Sequence, residues 1–72
     1  MDRIKQADRI MRHFETVGPL TSAEAMYEYG IGRLASRIHE MRAAGIQIGD
    51  ETVARKNRFG ETVHIKQYFL EG

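Results

Sequence analysis

Cysteine and tryptophan are missing from these 72 residues, and Pro19 is the single proline. Without cysteine there can be no disulfide and no thiolate metal site, which fits a reducing compartment. No apolar run approaches the ~20 residues that a membrane span needs. The first residues, MDRIKQADRIMRHF, are charged throughout and lack the apolar centre of a signal peptide. These absences predict a soluble, cytoplasmic protein with no membrane partner. Supports for catalysis are also few. His13, His39 and His64 lie on three separate segments without metal-ligand spacing. Ser22 and Ser36 have no strained turn that would make a nucleophile, and no glycine-rich phosphate loop is present. The expectation is therefore a protein that is not an enzyme and holds no cofactor or metal.

Net charge is nearly absent too, at +1, but its distribution is uneven. Residues 1–30 carry four basic and five acidic side chains. Residues 31–44 carry Arg33, Arg37 and Arg42 against Glu40, and residues 54–66 carry Arg55, Lys56, Arg58 and Lys66 against Glu61. Asp50 and Glu51 lie between these two basic segments. A nearly neutral chain can still bind a polyanion where two such segments fold onto one face.

A chain of this length forms one small domain, burying roughly 60% of its unfolded surface. Ile4, Ala7, Ile10, Met11, Phe14 and Val17 recur at spacings of three and four, which predicts a helix over 3–17. Gly18-Pro19 ends it. Thr21-Ser22-Ala23-Glu24 has the pattern of a capping box and starts a second helix, 22–29, with Ala25, Met26 and Tyr29 inward. Gly30 stops that helix, and Ile31 packs under the turn. A third helix over 32–44 places Ile31, Leu34, Ala35, Ile38 and Met41 toward the core at about 100° per residue. Gly32, Arg33, Ser36, His39, Glu40 and Ala43 then face outward, with Arg37 and Arg42 at the borders. The pair of short helices suits a helix-turn-helix that reads duplex DNA.

Residues 46–54 and 61–70 read as strands, because the first begins with alternation and the second is rich in β-branched and aromatic residues. The stretch RKNRFG between them makes a mobile, basic hairpin tip. Strand parity is not uniform: Val63 and Ile65 point one way, Tyr68 and Leu70 the other. A bulge or a change of environment has to intervene, and Gly49-Asp50 is a candidate break in the first strand. Glu71-Gly72 is expected to fray.

Three helices followed by a basic hairpin resemble the winged helix-turn-helix plan: mainly α, one domain over 1–72, with a two-stranded wing. The likeness is closer along Ala25-(x4)-Gly30-Ile31-(x2)-Leu34-(x2)-Arg37-Ile38-(x2)-Met41-Arg42-(x2)-Gly45-Ile46-x-Ile48, with Tyr68-x-Leu70 at the end. There the chain is similar to a family of small helix-turn-helix domains common in bacteriophages and prophages. This resemblance implies a DNA-binding domain, and from it comes the expectation of a phage or prophage transcriptional regulator.

The expected partner is double-stranded DNA. Arg33 can chelate guanine O6 and N7 in the major groove. Ser36, Arg37, His39 and Glu40 add base or phosphate contacts from the next turn. Arg55, Lys56 and Arg58 follow phosphates or a narrow minor groove. Thr21 and Ser22 offer a phosphate site at the N-terminus of the second helix. Each group also has a structural explanation: a solvated helix face with pairs such as Arg33–Glu28 or Arg37–Glu40, an edge protected from pairing, and a helix cap. Two other readings compete. One is a phage-encoded module that binds and inhibits a host protein through Tyr27, Phe59 or Tyr68. The other is an excisionase-like architectural factor that bends DNA. A homodimer on paired half-sites is a further expectation.

Overall fold

The computed structural model describes residues 3–71, and side chains from residue 5 onward. The side chain of Ile4 and the whole of Gly72, to which the sequence assigns a core place and a frayed end, thus lie outside what is described. The first helix, α1 (Arg3–Thr16), is the hub of the domain and touches both other helices and two strands. Its stripe buries Ile10 and Phe14 and half-buries Ala7 and Met11. Val17 is not part of it. The helix ends one residue earlier, where the N–H groups of Val17 and Gly18 both return to the His13 carbonyl. Val17 then stands 71% exposed.

A short strand, β1 (Leu20–Thr21), precedes α2 (Ser22–Tyr29). The predicted capping box is formed: Thr21 Oγ1 accepts from the Glu24 amide at 3.2 Å, and Glu24 Oε1 accepts from the Thr21 amide at 3.0 Å. Two orphan amides at the helix start are thereby satisfied. Ala25 is fully buried, but Met26 is 55% exposed, against the expectation that it faces inward. Its methyl lies along the turn instead, 3.1 Å from where a Cβ on Gly32 would be. Gly30 takes a left-handed φ of +68°, which lets its own N–H and that of Ile31 reach back to α2 carbonyls. Ile31 is buried under this turn.

The third helix, α3 (Leu34–Ala43), begins two residues later than its sequence suggests, because Gly32 and Arg33 are spent on the turn. Leu34, Ile38 and Met41 are buried; Ala35, on the edge of the predicted stripe, is exposed.

Two long strands follow, β2 (Ile48–Lys56) and β3 (Thr62–Leu70), each shifted from the predicted limits. They form part of a three-stranded antiparallel sheet of order β1-β3-β2, so the fold is mixed α/β rather than mainly α, and the expected two-stranded wing is incomplete as a description. The missing strand is β1, with Leu20 opposite Tyr68 and Thr21 opposite Gln67. Two residues carry too little periodicity to announce a strand. The β2–β3 register runs unbroken from Ile48↔Leu70 to Lys56↔Thr62. No bulge intervenes, and Gly49 does not break β2. Glycine is needed there because a Cβ would come 2.7 Å from the Phe69 ring. The uneven parity of β3 reflects a change of environment. Leu20, Ile48 and Tyr68 share the face that packs on the helices. Farther out the wing stands clear of them, and Val63 and Ile65 face the other way. Glu71 is not loose, since its N–H donates to the Gln47 carbonyl at 2.9 Å.

Candidate nucleic-acid interface

Arg33 is the N-cap of α3, with φ −132° and ψ 59°, rather than a residue of its first turn. Its carbonyl accepts the Arg37 amide at 3.2 Å, and its side chain is exposed. Beyond it, the solvent side of α3 shows Ala35, His39, Glu40 and Ala43, with Ser36 half-buried. These side chains are short or polar, so a groove can approach the helix backbone closely. The two remaining helix arginines are committed elsewhere. Arg37 has a side chain only 13% exposed and pairs with Glu40 at 3.5 Å. Its Nε is buried without a hydrogen-bond partner among the described residues. Arg42 fixes the end of α3 to the sheet. Its Nε donates to the Ile48 carbonyl at 2.9 Å, its Nη2 reaches Asp50 Oδ2 at 2.9 Å, and its guanidinium lies over the Tyr68 ring.

The wing carries its cations differently from the sequence expectation. Arg55 and Lys56 belong to β2, opposite Val63 and Thr62, and of the three only Arg58 is in the tip. Arg55 donates to its neighbour's carbonyl, Ala54 O, and Lys56 donates to Thr62 Oγ1 at 3.0 Å. None of Arg33, Arg55, Lys56 and Arg58 forms an ion pair among the described residues. Nor is the tip a loose loop. Asn57 Oδ1 accepts from the Phe59 and Glu61 amides, Asn57 Nδ2 donates to Glu61 Oε1, and Gly60 at φ +80° closes the turn. On this fixed tip Phe59 is 79% exposed and does not fold back onto the wing's base.

At the start of α2 the two candidate phosphate ligands part. Ser22 is exposed, whereas Thr21 is 6% exposed with its hydroxyl engaged in the cap. A shallow concavity lined by Pro19, Thr21, Glu24, Arg55, Ile65 and Gln67 brings the wing's Arg55 toward this helix end. The Glu24 carboxylate in the same hollow opposes an anion there.

Two polar nodes depend on contacts that the sequence does not announce. One is the Arg42 clamp. The other is His13, 5% exposed, between Tyr29 Oη and the Pro19 carbonyl. His13 falls on the α1 stripe, three residues after Ile10, and that spacing was the available signal.

The order of helices, the turn at Gly30 and the β1-β3-β2 sheet with its projecting hairpin point to one plan, and a family model confirms it: a winged helix-turn-helix domain matches residues 5–72. The chain belongs to this family. No curated protein and no solved structure gave a match. In winged helix-turn-helix terms α2 and α3 form the helix-turn-helix pair, and the β2–β3 hairpin is the wing. No described helix is long and apolar enough to cross a membrane.

Proposed function

We propose that this winged helix-turn-helix domain binds double-stranded DNA with sequence preference, as a transcriptional regulator of a phage or prophage. Helix α3 would enter the major groove, and the wing would lie on the backbone or in the minor groove. The observation that carries the reading is how the cations divide. Arg37 and Arg42, on the packed flanks of α3, are held by carboxylates. Arg33, Arg55, Lys56 and Arg58 are exposed and have no carboxylate partner among the described residues. Phosphate contacts need cations that are free to exchange counterions for the duplex. Arg33 is the base-reading candidate, supported by His39, Glu40 and Ser36; Arg58, Lys56 and Arg55 are the phosphate candidates, and Ser22 a lesser one. The phage or prophage role rests on resemblance alone.

Selection from random duplexes followed by anisotropy with the selected and a scrambled site tests this. Arg33→Ala should relax the preference between the two, and Arg58→Ala should weaken both alike. Unchanged binding by both variants rejects the assigned face. One feature favours a second reading, a protein-binding module: Tyr27 is 87% exposed beside the half-exposed Met26 on α2. Capture of a host protein that survives nuclease treatment and is lost in Tyr27→Ala would favour it.

A further inference from the structure

We propose that the free edge of β2 is a homodimer interface, with residues 50–56 of two copies pairing antiparallel about a twofold axis at Val53. In the order β1-β3-β2 this nine-residue strand has, among the described residues, a neighbouring strand on one side only. Such an edge presents unpaired N–H and C=O groups to a further strand.

Which groups face outward follows from both ends of the hairpin. The Glu71 amide donates to Gln47 O, and the Asn57 amide to Glu61 O. Odd-numbered residues of β2 therefore turn their backbone polar groups toward β3. Even-numbered ones turn them to the edge, and Ile48 O, which accepts from Arg42 instead of β3, agrees. In an antiparallel pair, residues that exchange hydrogen bonds must stand opposite one another. A second copy can therefore pair only even with even. That also places the helices of both copies on the same side of a continuous sheet.

Charge then selects among the permitted registers. The strand reads Asp50-Glu51-Thr52-Val53-Ala54-Arg55-Lys56, acidic at one end and basic at the other. Centred on Val53, Asp50 meets Lys56 of the second copy and Glu51 meets its Arg55, and the twofold repeats both pairs. Shifting the centre one residue to Thr52 or Ala54 sets no opposite charges across from each other. Shifting it two residues, to Glu51 or Arg55, puts like charges opposite. Cross-strand pairs of opposite charge stabilise a sheet, and like pairs destabilise it. In the Val53 register Glu51 and Arg55 form a non-hydrogen-bonded pair, the geometry in which opposing side chains come closest. An edge protected against pairing would carry one sign, which repels its own copies; this edge is complementary to itself.

The interface is small, so association is weak and is to be sought from about 10 μM to about 1 mM protein. Sedimentation equilibrium of the full chain without DNA should show a reversible monomer–dimer equilibrium. Arg55→Glu and Glu51→Arg should each abolish the dimer by placing like charges opposite. Mixing these two variants should restore it as a heterodimer, because each then supplies the sign the other lacks. Ala54→Pro, which removes an outward N–H and leaves the β3 ladder intact, should also give monomers with an unchanged circular dichroism spectrum. A wild-type chain that stays monomeric throughout the range overturns the proposal. So does a dimer indifferent to Arg55→Glu, or a mixture that remains monomeric. None of these outcomes depends on duplex binding, so they leave the DNA reading to its own test.

Discussion

The contact that seats α2, and with it the whole helix-turn-helix, is the buried His13. Its Nε2 lies 3.1 Å from the Pro19 carbonyl, and its Nδ1 lies 2.7 Å from Tyr29 Oη. A carbonyl only accepts, so in the neutral ring Nε2 carries the hydrogen and Nδ1 accepts from the Tyr29 hydroxyl. One imidazole thus ties α1 to the entry of β1 and to the last turn of α2. Tyr29→Phe removes one bond and leaves a buried nitrogen unpaired, at a cost of about 2 kcal/mol. His13→Ala removes both bonds and opens a ring-sized gap, costing about 3 kcal/mol. A domain of this length has only about 4–11 kcal/mol in total. Tyr29→Phe should therefore lower Tm by about 8–16 °C in a calorimetric scan. The double variant should lose less than the sum of the singles, with a coupling of about 1–2 kcal/mol. A Tyr29→Phe variant within about 0.5 kcal/mol of the parent in urea unfolding would refute the node, because exposed sites behave that way.

Other positions give separate tests. Arg42→Ala should cost about 1–2 kcal/mol in urea unfolding, reduced by the partial exposure of its pair with Asp50. Arg42→Lys should not rescue it, because an ammonium cannot span the Ile48 carbonyl and Asp50 together. Gly49→Ala should destabilise by about 1–3 kcal/mol through the Phe69 ring, and most of the loss should vanish in a Phe69→Ala background. In duplex titrations, Arg58→Ala should lower the slope of log affinity against log salt by about 0.9, whereas Arg37→Ala should leave it unchanged. An exposed apolar side chain can wedge between base steps and kink a duplex, and at the wing tip Phe59 is the candidate for the DNA-bending alternative. Phe59→Ala should keep stability within about 0.5 kcal/mol and abolish any anomalous mobility of circularly permuted sites. If the parent chain shows no such anomaly, the bending role fails.

Periodicity made the helices legible, since an apolar residue at every third or fourth place has one geometric solution. The capping box at Thr21 and Glu24 was legible for a similar reason, being a local bond between near neighbours. What the sequence hid was set by distant partners. β1 exists because Leu20 meets Tyr68, a pairing across most of the chain. Arg37 and Arg42 looked alike on a helical wheel, yet Glu40 and Asp50 hold them in different ways. The basic tip dissolved into a strand once Arg55 and Lys56 found Val63 and Thr62. Propensity placed the turn formers Asn57 and Gly60 correctly but could not fix where pairing stops.

The same strand serves two assignments, and charge decides how they meet. Arg55 and Lys56 are phosphate candidates in a monomer, but in the Val53-centred dimer each faces a carboxylate of the second copy. Pairing therefore withdraws them from the duplex and leaves Arg33 and Arg58 as the exposed, unpaired cations among the four. Screening by salt weakens both contacts, but not equally: the strand pairing also has backbone hydrogen bonds, which salt does not screen. The salt slope of DNA binding should consequently be steeper for Ala54→Pro, the variant expected to be monomeric, than for the parent chain at dimer-forming concentrations. Equal slopes would mean that the wing holds its cations on the duplex whatever its edge is doing, and that the two assignments do not compete.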